Sequence, residues 1–263
     1  MIGLCTDSSA HLPPEIAARF GIEVVPLTIT IDDIDHLEGV DLDNSDFYSR
    51  FERGEHPDVV TSEPSSGQFA AAYEDLIERG CTSILSVHIT PALSGALNPA
   101  RLAARVVDIP VRVIDSGTGG FAMGCCVWAA GEAIASGGSL DDAAAAADRV
   151  ANSVGNAALL RAADQAEPFT VVTFHRGGAN VLRRFVHAVD AINEITARAV
   201  AWGDRLRVGV GHTDSTSLLF ANAVEDGVGE AANVIEVVRY RIGPSMGALT
   251  GPGAVGCVMF PAG

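Results

Sequence analysis

The sequence contains no lysine, so all 17 of its basic residues are arginine. A phosphate-binding loop that ends in Gly-Lys, a pyridoxal Schiff base and a catalytic amine each need a lysine, and all three are excluded. Positive charge is scarce as well. Against the 17 arginines stand 33 acidic residues, and the net charge of −16 repels phosphate backbones, so nucleic acid is not an expected partner. The five cysteines (Cys5, Cys81, Cys125, Cys126 and Cys257) are odd in number and show no zinc-like spacing. They read as small core hydrophobes in a reducing compartment. Long apolar runs are missing too. The most apolar stretch, residues 119–138, is interrupted by Glu132 and falls short of a membrane span. Residues 1–11 hold no basic segment, so no signal peptide is expected and the reading is a soluble cytoplasmic protein.

What is present is a hydrophobic content of 48% in 263 residues, enough for one large domain or two small ones. Residues 1–5 read as a buried strand, followed by a polar turn and a helix over 13–20 that starts on proline and stops at Gly21. A β-branched strand is expected over 22–31, an acidic loop over 32–43 and a short helix over 44–53. Further helices are expected over 66–79, 98–107, 120–136 and 140–163, with strands at 83–89 and 111–114. This alternation predicts an α/β class: a three-layer α/β/α domain with a parallel sheet over residues 1–160. The remainder, 161–263, reads as a smaller α+β domain, with strands at 169–174, 206–210, 234–241 and 255–260 and helices at 179–199 and 215–223.

Enzyme motifs are faint. Gly117-Thr118-Gly119-Gly120-Phe121-Ala122 follows a strand and matches G-x-G-x-x-A, but no acidic residue ends the next strand to hold a ribose. The seven histidines include no pair spaced for a helical metal site, and Leu93-Ser94-Gly95 lacks the first glycine of a nucleophile elbow. No catalytic residue, metal ligand or cofactor is therefore assigned. Three hydroxyl-rich segments, 6–9, 61–66 and 90–95, are placed where parallel strands pass to helices, the usual mouth of an α/β crevice. Ser8, Ser65 and Ser66 are explained as helix caps, whereas Thr61 stands too far before its helix to be one. Hydroxyls beside helix N-termini form a neutral site able to hold one carboxylate or phosphate.

Several segments together resemble the DegV family of bacterial fatty-acid-binding proteins, which present an acyl chain to a fatty acid kinase. They are Thr6-Asp7-Ser8-Ser9, Val25-Pro26-Leu27, Thr61-Ser62-Glu63-Pro64-Ser65, Leu93-Ser94-Gly95, Val113-Ile114-Asp115-Ser116 and Gly251-Pro252-Gly253-Ala254. The resemblance implies two α/β domains with a long-chain fatty acid in a buried tunnel between them. It also implies a carboxylate held by the hydroxyls of Thr61 and Ser94, with Ser62 and Gly95 beside them, for a partner kinase. The chain itself would be a non-enzymatic, lipid-binding protein.

Two departures mark this chain. Leu249 stands where the family usually carries a histidine two residues before Gly-Pro-Gly, and His175-Arg176-Gly177-Gly178-Ala179-Asn180 replaces the family's Arg-Gly-Gly-Arg with no basic segment after it. A divergent binder of a lipid or other apolar ligand without a kinase partner, or a small-molecule enzyme of unknown reaction, are the alternatives.

Overall fold

A computed structural model describes residues 1–162, 165–175 and 178–262. The first part contains β1 (Ile2–Asp7), α1 (Pro14–Phe20), β2 (Glu23–Val25), β3 (Thr28–Ile31), β4 (Ile34–Leu37), α2 (Asn44–Glu52) and β5 (Val59–Ser62). It continues through α3 (Ser66–Glu78), β6 (Ser83–His88), α4 (Leu97–Ala103), β7 (Val111–Asp115), α5 (Phe121–Ala135) and α6 (Leu140–Ser153). The rest holds β8 (Gly155–Arg161), β9 (Phe169–His175), β10 (Gly178–Phe185), α7 (Ala188–Val200) and β11 (Leu206–His212). α8 (Ser215–Gly229), β12 (Val234–Arg241), α9 (Pro244–Thr250) and β13 (Val255–Pro261) complete it.

The expected α/β class and parallel first sheet are present. Strands β2-β1-β6-β7 form a four-stranded sheet in which every pairing is parallel. α3 and α4 pack on one face around Phe69, Tyr73 and Leu76, and α5 and α6 on the other around Met123, Val127 and Trp128. A second, six-stranded sheet runs β10-β9-β8-β13-β11-β12, mostly antiparallel with one parallel pair, β11 and β12. α7 and α8 cover its outer face around Ile195, Val208 and Val224. Its inner face meets α5 and α6, so that one hydrophobic core joins Leu85 and Ile114 to Val258 and Phe260. α5 is apolar almost all round because it lies between two sheets. Among the described residues no helix is long and apolar enough to cross a membrane.

Four local expectations are overturned. Residues 22–31 form two strands, because Pro26 supplies no ladder donor, and β3 leaves the parallel sheet for a small antiparallel one, β4-β3-β5. The acidic loop at 32–43 contains β4, joined to β3 by a two-residue turn in which Asp32 and Asp33 both have positive φ, 49° and 65°. Residues 140–163 divide at Val154 into α6 and β8, and residues 179–199 divide into β10 and α7. All five cysteines are buried and free. Burial pushes the Cys126 and Cys257 thiols up to about 12, which keeps them protonated and inert.

Candidate functional site

Thr61 and Ser62 lie in β5, an exposed antiparallel edge strand paired with β3, and not in a turn after a parallel strand. The segments at 6–9 and 90–95 do follow the parallel strands β1 and β6. Ser94 donates its backbone N–H to Thr90 O (3.2 Å), and its Oγ accepts from Ala96 N (3.4 Å). Glu63, the residue after Ser62, lies over Gly95, where an added Cβ would fall 2.6 Å from its carboxylate oxygen. Leu249 is 68% exposed on α9, which packs against β5. The elements bearing all five residues are thus neighbours. Among the described residues no hydrogen bond links one of the five to another.

Ser65 caps α3 reciprocally with Gln68, as expected. Ser8 caps nothing: its Oγ donates to Glu38 Oε2 (2.6 Å) and accepts from Leu27 N (3.0 Å). Glu38 also accepts from Ser245 N (2.8 Å) at the start of α9, and burial holds its carboxyl above the usual range. This carboxylate ties the end of β1 and the strand β4 to α9.

A narrow apolar cleft, open at its mouth, lies between the start of α5 and the inner face of the second sheet. Phe121 and Ala122 of α5, Ala158 of β8, Val258 of β13 and Met246 of α9 are among its walls. None of the five predicted residues lines it. Leu93 and Thr250 do, however, so Ser94 and Leu249 each adjoin a wall residue. The glycine run at 117–120 is the turn into α5. Gly117 and Gly120 have φ of +65° and +61°, a region that excludes most side chains. Deeper in, the Phe121 and Tyr240 rings stack at 4.4 Å and 20°. They rest on a pavement of glycine: an added Cβ would fall 2.3 Å from Phe121 at Gly209, and 2.2 Å from Tyr240 at both Gly211 and Gly256. These wall residues come from α5, β8, β12, α9 and β13, separate elements of the chain, which hides the cleft from local pattern.

Beneath the 90–95 loop runs a buried polar chain. His88 Nδ1 meets Asp7 Oδ2 (2.8 Å), His88 Nε2 meets Ser86 Oγ (2.7 Å), and Tyr73 OH donates to Ser86 Oγ (2.9 Å). Asp7 also accepts from the backbone N–H and the hydroxyl of Ser9. The connectivity is that of a serine hydrolase triad. Its geometry is not that of an active one, because Asp7, Ser86 and His88 are all 0% exposed and Tyr73 covers the serine. No acyl group reaches that oxygen, and the network instead joins the carboxyl ends of β1 and β6. The Ser86-Val87-His88 spacing, which places both polar side chains on one face of a strand, was its signal in sequence. Its third member, Asp7, needed the pairing of β1 with β6.

The profile of the DegV family, a family of uncharacterised proteins, matches residues 1–161. A DegV domain-containing protein of Streptomyces coelicolor is 36% identical over 148 residues, covering 56% of this chain and 52% of the relative. One from Staphylococcus aureus is 38% identical over 121 residues, covering 46% and 42% respectively. The chain therefore spans about half the length of the curated relatives it matches. Among solved structures, a fatty-acid-binding DegV family protein from Thermus thermophilus has a TM-score of 0.89 at 23% identity, over 99% of both chains. A stearic acid-binding protein from Eubacterium ventriosum has a TM-score of 0.87 at 20% identity, over 99% of this chain and 98% of that one. At these identities the likeness is one of fold.

Proposed function

The chain belongs to the DegV family, and from that premise we propose that it binds a long-chain fatty acid in the apolar cleft and performs no catalysis. The observation that carries this reading is the cleft itself, apolar in its depth and bordered by the Ser94 loop and α9. Solved relatives of the same fold are described as binding fatty acids. The acyl tail would run between α5 and the second sheet. Its carboxylate would meet Thr61 and Ser94, with Ser62, Gly95 and Leu249 around it. About 15 buried methylenes at roughly 0.8 kcal/mol each supply on the order of 12 kcal/mol of gross transfer free energy, before ordering costs. The tail provides the affinity and the hydroxyls the orientation. Neutral donors also leave a carboxylate oxygen free to attack, where a bidentate arginine would engage both oxygens. A partner kinase would use that oxygen in the cytoplasm, the compartment that suits five free thiols. Leu249, exposed at the rim in place of an imidazole, favours a second reading in which the lipid is held without a kinase partner.

Protein purified from a bacterial host is expected to carry near-stoichiometric long-chain fatty acid, measured by mass spectrometry after denaturing extraction. Extraction with no lipid above background would remove the reading. Ser94→Ala is expected to weaken fatty acid binding by about 1–2 kcal/mol, the range for one hydrogen bond to a charged group, with the unfolding midpoint unchanged. An equal dissociation constant in wild type and variant would take Ser94 out of the site.

A further inference from the structure

A second, open cleft shares His11 and Tyr240 with the first, and its walls set Leu12, Pro14 and Val24 against the charged side chains of Glu38, Arg239 and Arg241. Nothing in the lipid-binding reading uses it. It lies at the carboxyl ends of β11 and β12, parallel neighbours connected through α8, and open α/β sheets present ligands beyond such strand ends. His212 ends β11, Arg241 ends β12, and the two are paired in register. Arg239, two residues earlier on β12, shares the face of Arg241.

Two of these three side chains hold a nitrogen that the described residues leave without a partner, and the third brings a second cation beside them. Arg241 Nη2 donates to Thr213 O (2.8 Å), but its buried Nε has no hydrogen-bond partner among the described residues. His212 Nδ1 is buried and likewise unpartnered. Arg239 Nη2 donates to Asn222 Oδ1 (2.8 Å), and its Nη1 is ion-paired with Glu225 Oε2 at 3.3 Å. Folded proteins leave few unpartnered groups of this kind. Two unpartnered nitrogens, beside a second guanidinium on the same cleft wall, call for an acceptor with more than one oxygen.

The neighbouring carboxylates are mostly engaged. Glu38 accepts from Ser8 and Ser245, and Asp214 accepts from the backbone N–H groups of Ser217 (2.9 Å) and Gly253 (2.6 Å). Glu225 sits beside Arg239, and Glu15 lines the rim. Burial, together with Arg241 and Arg239, lowers His212 to about 4, so its ring is neutral at pH 7. An anion seated between the arginines would work against that shift.

We propose that this cleft binds a compact oxyanion, a phosphate or carboxylate group, through Arg241, Arg239 and His212. The planar guanidinium fork matches two oxygens of such a group, and the imidazole N–H supplies a third donor. The site is independent of the fatty acid reading and stands or falls without it.

The test titrates the full chain with inorganic phosphate and with acetate against chloride at equal ionic strength, following the His212 ring by NMR, assigned with His212→Gln. A saturable shift with one of the two oxyanions is expected, with the His212 pKa raised by about half a unit or more. Arg241→Gln keeps a donor for the Thr213 carbonyl and is expected to bind about tenfold more weakly. Arg239→Gln gives the same readout should Arg241→Gln fail to fold, and both variants are expected to retain extracted lipid. The arm that saturates distinguishes phosphate from carboxylate. No saturable shift beyond chloride, or equal affinity in wild type and the folded variants, overturns the site.

Discussion

Asp7→Ala is expected to lower the free energy of unfolding by about 3 kcal/mol or more, because it leaves several buried donors without an acceptor, each at a cost of about 1–3 kcal/mol. The carboxylate is fully buried and engages His88 and Ser9 together. Its loss leaves the His88 ring nitrogen and two donors of Ser9 without a partner and without access to water. Ser86→Ala, two links further along the same chain of hydrogen bonds, is expected to cost less, about 1–2 kcal/mol, since it strands only His88 Nε2 while Tyr73 OH keeps the Ala100 carbonyl (3.3 Å). Urea unfolding of both variants measures the contrast. Equal costs for the two would mean that Asp7 is not the anchor of the network. Because the network joins the strand ends beneath the Ser94 loop, Asp7→Ala is also expected to weaken whatever that loop holds.

The largest effect on binding is expected from Ala158→Phe. Along β8, Ala157 and Leu159 belong to the core beneath α7 and α8, and Ala158 between them lines the apolar cleft. A phenyl ring there takes up space that an acyl tail needs, and extracted fatty acid is expected to fall by about tenfold or more. The overpacking cost of about 1–3 kcal/mol leaves the fold in place, which near-ultraviolet circular dichroism checks. A wild-type lipid content in a folded variant would put the tail somewhere other than this cleft.

Much of the first half of the fold was legible because its signals are local. Proline at the start of α1 with Gly21 after its end, and the Ser65–Gln68 and Ser139–Asp142 capping boxes, all mark helix boundaries where the structure has them. The elements misread were those whose state depends on a partner strand. Ala157, Ala158, Leu159 and Leu160 are good helix formers, yet pairing with β13 and β9 makes them a strand. β10 and β5 are edge strands with side chains exposed on both faces, so neither shows the alternation that a half-buried strand carries.

For the site, the division is similar. Thr61, Ser62, Ser94, Gly95 and Leu249 came from short motifs and family resemblance, and the structure adds that their elements are neighbours. The clefts were beyond reach of the sequence, because Phe121, Ala158, Tyr240 and Gly256 come from separate elements and meet only when α5 is enclosed by two sheets. By itself the sequence determined composition-level chemistry and local structure: no lysine, an acidic surface, buried thiols, capped helices and a parallel first sheet. Only the tertiary structure decided which strands pair, which serine is a cap and which a hydrogen-bond partner of Glu38, and where the free volume lies. Those outcomes depend on contacts between residues far apart in the chain, and a periodic pattern records only which face of an element is apolar, not what that face will meet.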